Sequence, residues 1–110
     1  MGKREQTMQQ GSAAMLVLAL LKKEEMYGYQ MIEALARRSQ NVFQMKEGTL
    51  YPILHSLERE GLVTATEREA PSGRQRRYYR ITAAGLRALE EKAQEWAIFS
   101  GAVTAVLAGG

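Results

Sequence analysis

The sequence predicts an α+β chain, mainly α, in which three short helices and a two-stranded hairpin precede one long helix. Three observations carry this. Apolar residues recur at three- and four-residue steps up to about position 60, the spacing of a helix face. The period then drops to two on both sides of Ala70-Pro71-Ser72-Gly73, a turn signal. From position 83 a helical stripe resumes and runs almost to the C-terminus.

Residues 1–11 are polar and end in Gln-Gln-Gly, and are expected to form a flexible arm. Ser12 is placed to cap a helix over 13–23, with Met15, Leu16, Ala19 and Leu20 on its buried stripe and Lys22 and Lys23 at its electronegative end. Tyr27-Gly28 breaks the pattern. A second helix follows over 28–39, with Ile32, Leu35 and Ala36 inward and Tyr29 or Met31 ahead of them. Ser39-Gln40-Asn41 is a short polar link.

The third helix spans 48–60, with Leu50, Ile53 or Leu54, and Leu57 buried and Gly61 as its C′ residue. Pro52 lacks an N–H and belongs in a first turn, so Thr49 is the expected N-cap; a start at Glu47 would require a kink. Strands over 62–69 and 75–82 form the hairpin. Thr82 then caps a helix over 83–108, which at ~1.5 Å per residue is about 39 Å long. A domain of this size has a radius of gyration near ~13 Å, so that helix projects beyond it. The chain divides accordingly into an arm (1–11), a body (12–82) and a terminal helix (83–110).

Length and composition fit one folded domain: 110 residues, 45 % apolar and 25 % charged. The absence of cysteine excludes disulfides and thiolate metal sites and is in keeping with a reducing cytoplasm. The basic start is not followed directly by an apolar run, and the apolar stretch 13–21 leads into Lys22-Lys23-Glu24-Glu25, so it reads as a core helix rather than a leader. The uncharged end, 96–110, is shorter than the roughly 20 residues that cross a bilayer and contains Ser100, Gly101 and Thr104. A helical interface accounts for it better. Leu89, Ala93, Trp96, Ser100, Val103 and Leu107 follow one another at helical steps and form the seam of an expected homodimer.

The net charge of +3 comes from 15 basic and 12 acidic residues, and it is local. Arg74, Arg76, Arg77 and Arg80 fall within seven positions; without these four, the chain carries 11 basic against 12 acidic residues, or −1. A compact cationic patch on a hairpin is an electrostatic footprint for phosphate. A solvated arginine-rich turn is the plainer alternative. The order helix, helix, helix, hairpin, helix is that of a winged helix-turn-helix. In that arrangement the helix over 48–60 enters the major groove of duplex DNA, the helix over 28–39 braces it, and the hairpin lies on neighbouring phosphates. Lys46, His55, Ser56 and Arg59 fall on the outward side of the third helix.

Glu47-Gly48-Thr49-Leu50-Tyr51-Pro52, closed by Leu57-Glu58-Arg59-Glu60-Gly61-Leu62, resembles the recognition segment of PadR-type regulators. Tyr27-Gly28-Tyr29 is similar to the opening of that family's preceding helix. The segment from Ser72-Gly73-Arg74 through Tyr78-Tyr79-Arg80-Ile81-Thr82 is similar to its wing, and Ala84-Gly85 to the start of its last helix. The resemblance covers about residues 13–100, and the single helix after the wing is that of the short subclass. It implies a cytoplasmic, dimeric repressor released from its operator by a small molecule. For DNA contact it implies Thr49, Tyr51 and Pro52 with Arg74, Arg76 and Arg77. Tyr51 also reads as a core aromatic, and Arg59 as a surface partner of Glu58 or Glu60.

Trp96 on the last helix reads as interface packing. Alternatively, two copies facing each other across a dimer axis make a stacking platform for a planar aromatic effector. Multidrug-responsive relatives of the PadR type carry a tryptophan at what resembles this place. Met8, Met15 and Phe99 are candidates to line the same cavity, although Met15 also suits the core.

Enzyme chemistry has little to stand on. His55 is the sole histidine, no glycine-rich phosphate loop is present, and neither a metal cluster nor a cofactor motif is expected. A winged helix that binds protein rather than DNA is the main competitor, and the wing arginines separate the two by the salt dependence they confer.

Overall fold

The computed structural model describes the backbone of residues 2–109 and the side chains of residues 12–109. Its elements follow in the order α1 (Gly2–Lys23), β1 (Met26–Tyr27), α2 (Gly28–Arg38), α3 (Glu47–Arg59), β2 (Val63–Glu69), β3 (Gln75–Ile81) and α4 (Ala83–Leu107).

Helix α1 begins at Gly2, where the sequence predicts an arm over 1–11 and a Ser12 cap. Lysine, arginine, glutamate, glutamine and methionine dominate 3–10 and are good helix formers. Gly11 costs only about 1 kcal/mol inside a helix that continues on both sides. The buried stripe is also rotated from the one expected. Val17, Leu18, Leu20 and Leu21 are buried, whereas Met15, Leu16 and Ala19 are half-buried at the core margin. The C-terminal half of α1 is covered by α2, α3, α4 and β3, so its apolar surface is wider than one stripe.

Strand β1 is too short to leave a period in the sequence, and was not expected. It joins the hairpin edge in a sheet of order β1-β3-β2, all antiparallel, with Met26 opposite Tyr79 and Tyr27 opposite Tyr78. Gln30 accepts the Tyr27 N–H through Oε1 at 3.0 Å, which satisfies a donor at the start of α2. Met31, not Tyr29, turns inward. At the other end the Ser39 hydroxyl donates to the Leu35 carbonyl at 2.8 Å, and Gln40 and Asn41 turn the chain at φ +54° and +67°.

Helix α3 starts two residues before the expected Thr49 cap, with Lys46 as N-cap, and Pro52 stands inside it. The Lys46 carbonyl accepts from Thr49 N–H (3.0 Å) and Leu50 N–H (2.9 Å), which closes the first turn ahead of the proline. Pro52 then leaves the Gly48 carbonyl without its i+4 donor. Both residues are exposed, so water can take that place. The helix ends as the sequence predicts. Gly61 adopts φ +76°, its N–H donates to the Glu58 carbonyl, and Leu62 N–H donates to the Leu57 carbonyl at 2.9 Å.

The hairpin has an uninterrupted register from Val63 opposite Ile81 to Glu69 opposite Gln75. Its tip is a turn with Pro71 in the second position, closed by Gly73 N–H donating to the Ala70 carbonyl, with Gly73 at φ +88°. The core gathers Leu18, Met31, Leu50, Leu54, Val63 and Tyr79 between the helices and the inner sheet face.

Thr82 caps α4: its Oγ1 accepts from Gly85 N–H at 3.0 Å and donates to the Gly61 carbonyl at 2.7 Å. A Cβ at Gly85 would lie 2.1 Å from the Leu62 carbonyl oxygen, so only glycine lets α4 sit this close to the base of the hairpin. The 25 residues of α4 span about 38 Å at ~1.5 Å each. They draw the molecule out to 56 × 28 × 23 Å. No described helix is long and apolar enough to cross a membrane.

Candidate nucleic-acid interface

Helix α3 has two faces. Leu50, Leu54 and Leu57 are buried against the core, and on the opposite side Gly48, Thr49, Pro52, His55 and Arg59 are all exposed. These positions recur every three or four residues, so they form one stripe along the helix. Beside it lies a cleft of about 430 Å³, bounded by Ala14 of α1 and Lys92 of α4 and lined on the α3 side by Thr49, Pro52, Ser56 and Glu60. Among the described residues, this side of α3 is therefore left uncovered.

Lys46 is exposed at the N-terminus of the helix, where the backbone donors and the helix dipole favour an anion. Tyr51 is half-buried and packs against the core. Its hydroxyl approaches the start of α2 so closely that a Cβ at Gly28 would lie 2.5 Å from it. The tyrosine of the third helix and the glycine opening the second thus form one contact that fixes the two helices against each other. The His55 ring sits 6.5 Å from the Tyr51 ring at an angle of 39°. Arg59 takes part in no ion pair among the described residues. Its two expected partners are engaged elsewhere: Glu58 pairs with Arg77, and Glu60 accepts from the Ser56 hydroxyl at 3.2 Å.

The wing arginines divide by strand parity. Arg74 at the tip is exposed and belongs to no described ion pair. Arg76 faces the outer side of the sheet with its guanidinium 4.4 Å above the Tyr27 ring. Arg68, opposite Arg76 in the register, covers Tyr78 at 4.0 Å and pairs with Glu25 at 2.6 Å. Arg80 approaches Glu25 at 3.8 Å, and Tyr27 meets Tyr78 edge-on at 5.3 Å. This ladder of cations and rings was missed in the sequence, where Arg68 and Glu25 carry no motif. Only the hairpin register, which sets Arg68 beside Arg76 and Thr66 beside Tyr78, could have located it.

Arg77 faces inward. It bonds to Glu58 through Nη2, 3.0 Å from one carboxylate oxygen and 3.3 Å from the other, and its Nη1 lies 3.6 Å from Glu67. Its guanidinium is held protonated by the neighbouring Tyr79 oxygen and by Glu58, above its ordinary value. Burial pushes the Tyr79 phenol up, and the Arg77 cation opposes that shift. The Tyr79 hydroxyl nonetheless lacks a well-aligned partner.

On α4 the seam expected from the sequence needs one correction. Leu89 is 8 % exposed and belongs to the protomer's own core, because the first turns of α4 lie against α1 and β3. Beyond it the helix is bare. Ala93, Trp96, Phe99, Val103 and Leu107 are exposed and Ser100 is half-buried. Trp96 and Phe99 pair on the helix surface with ring centroids 5.9 Å apart. Met15 packs at the core margin, and Met8 lies outside the residues whose side chains are described.

Comparison with known proteins follows the same outline. The sequence profile of the transcriptional regulator PadR-like family matches residues 17–91. Transcriptional regulator Rv3488 of Mycobacterium tuberculosis is 41 % identical over 78 residues, covering 64 % of this chain and 69 % of that protein. The crystal structure of a PadR-like transcriptional regulator from Bacillus cereus superposes with a TM-score of 0.80 at 33 % identity, over 92 % of this chain and 96 % of the other. A PadR family transcriptional regulator from Eggerthella lenta gives 0.79 at 32 % identity, over 96 % and 90 %.

Proposed function

The chain belongs to the PadR-like family of transcriptional regulators, DNA-binding proteins and not enzymes, and we propose that it acts in the cytoplasm as a homodimeric repressor whose α4 helices pair and whose operator is vacated when a planar aromatic effector binds beside Trp96. The observation that carries this reading is the exposed polar stripe of α3 next to an arginine-bearing wing, on a body whose long helix exposes Trp96, Phe99, Val103 and Leu107 beyond its first turns.

In this reading Thr49, Pro52, His55 and Arg59 face the major groove, with Ser56 at the edge of the same surface. Lys46 takes a phosphate at the N-terminus of α3, and Arg74 takes one from the wing tip. Tyr51 supports the helix from behind, against Gly28 at the start of α2. The dimer seam is formed by Ala93, Trp96, Ser100, Val103 and Leu107. The exposed area on that half of α4 includes Leu107 at 82 % and Trp96 at 47 %, a large apolar surface for water to cover. Two-fold pairing would place two α3 helices on half-sites about one helical turn apart, roughly 34–36 Å. Across the axis, Trp96 and Phe99 of the two protomers supply flat apolar walls for stacking, which favours a planar aromatic ligand.

Fluorescence anisotropy of a labelled duplex from the region upstream of the protein's own gene, with scrambled competitor at two salt concentrations, tests the reading. Tight, salt-sensitive binding that survives the competitor and is relieved by planar dyes that quench Trp96 fluorescence is the expected result. Loss of all binding at physiological salt would point to a protein partner instead, and dyes that neither quench nor release would remove the effector.

A further inference from the structure

Neighbouring residues of a strand point to opposite faces, so Arg76 and Arg77 cannot do the same work. Arg76 lies on the outer face over Tyr27. Arg77 faces α3, where both oxygens of Glu58 receive its Nη2 at 3.0 and 3.3 Å, and its cross-strand neighbour Glu67 stands 3.6 Å from Nη1. Two carboxylates against one guanidinium leave this spot with a formal charge of −1, which repels a phosphate rather than seating one. Glu58 stands on the helix proposed to enter the groove, 19 positions away in sequence, and no other ion pair among the described residues joins that helix to the hairpin.

We propose that Arg77 is a positioning residue for DNA recognition, a clamp that fixes the wing to the recognition helix through Glu58, with Glu67 holding its side chain in place. The two elements then meet the duplex at one set separation, and phosphate neutralisation falls to cations outside the clamp, Arg74 at the tip and Lys46 at the N-cap of α3. As a partly exposed pair the clamp adds little to folding stability. Its effect is on geometry, and so on the preference for one sequence over another. The inference rests on the DNA-binding reading above.

The test is a double-mutant cycle on the full-length protein, with a duplex that the wild type selects from a random-sequence pool, a scrambled duplex and a salt series. The variants are Glu58→Gln, Arg77→Ala and both together. Removing a negative charge near DNA should, by field alone, tighten binding to any duplex. A positioning role predicts the opposite for the selected one. Glu58→Gln and Arg77→Ala are each expected to weaken binding to the selected duplex about tenfold, to leave the scrambled duplex little changed, and to combine to no more than either alone. The salt slope stays at its wild-type value, and the unfolding temperature moves by no more than about 2 °C.

A loss of about 0.9 in slope for Arg77→Ala, with both duplexes weakened alike and Glu58→Gln tightening both, would make Arg77 a phosphate contact and overturn the proposal. Variants indistinguishable from wild type on both duplexes would overturn it equally. A wild-type protein that selects no duplex at all would instead remove the DNA-binding reading, a failure visible before any variant is made.

Discussion

The two ends of α4 present opposite solutions to the same problem. Near its start Gly85 and Leu89 are buried against the rest of the protomer, and the chain closes its own apolar surface. Beyond position 93 the helix carries Trp96, Ile98, Phe99, Val103, Val106 and Leu107, all exposed. The first region is stabilised by packing that does not depend on concentration. The second can gain hydrophobic stabilisation only by association, so its contribution rises with protein concentration. One helix thus belongs to two energetic regimes, and the boundary falls within two turns.

Substitutions on either side of that boundary should separate the regimes. The largest effect belongs to the closed side. Leu54 is fully buried at the centre of the body, and Leu54→Ala is expected to cost about 2–5 kcal/mol, read as a lower unfolding midpoint in urea at any protein concentration. Gly85→Ala follows at about 3 kcal/mol, because the added methyl meets the Leu62 backbone and not a side chain that can swing away. On the open side, Val103→Lys should leave the urea midpoint of the isolated protomer in place and raise the dimer dissociation constant at least about 100-fold, seen by analytical ultracentrifugation. A Val103→Lys protein that stays dimeric would move the seam off this face of α4.

The smallest effect tests the core from the inside. The Tyr79 phenol has to stay neutral where it is buried, and its pKa is raised above the ordinary 10.0. A raised folded value means that the neutral form is favoured in the native state. The associated stability is fully present below about pH 10 and is lost as pH rises through the folded value. Tyr79→Phe keeps the ring and removes a hydroxyl without a well-aligned partner, so it should be neutral or stabilising by up to about 1 kcal/mol. Thermal melts from pH 8 to 11 should show the wild type losing stability above pH 10 and the variant losing less.

Much of this division was legible in the sequence, for physical reasons that differ by element. The hairpin could be read because period-two patterning and a Pro-Ser-Gly turn specify register, and its strands match the expected ones to within one residue at each end. The Thr82 cap could be read because a threonine ahead of a long helical stripe has few other uses. The start of α3 could not. Placing Pro52 in a first turn is the lower-energy choice for an isolated helix, but anchoring of Leu50 and Tyr51 by the core extends the helix back to Glu47 and leaves the proline inside it. Strand β1 was hidden because two residues have no period.

For the proposed interface, the candidate positions Thr49, Pro52, His55 and Arg59 lie together on one exposed stripe, as helical spacing requires. The partners of Arg76 and Arg77 were out of reach. Tyr27 under Arg76 comes from β1 and Glu58 beside Arg77 from α3, brought close only by the tertiary fold, whereas Arg68 and Glu67 are set opposite them by the hairpin register.

The corner where the hairpin meets α4 has a mechanical consequence. The Thr82 hydroxyl is tied to the Gly61 carbonyl, its N–H to the Leu62 carbonyl at 3.0 Å, and Gly85 leaves no gap between helix and strand. A joint held in three places resists a tilt. A sideways displacement of the far end of the long helix would therefore load the base of the hairpin, as the short arm of a lever follows the long one.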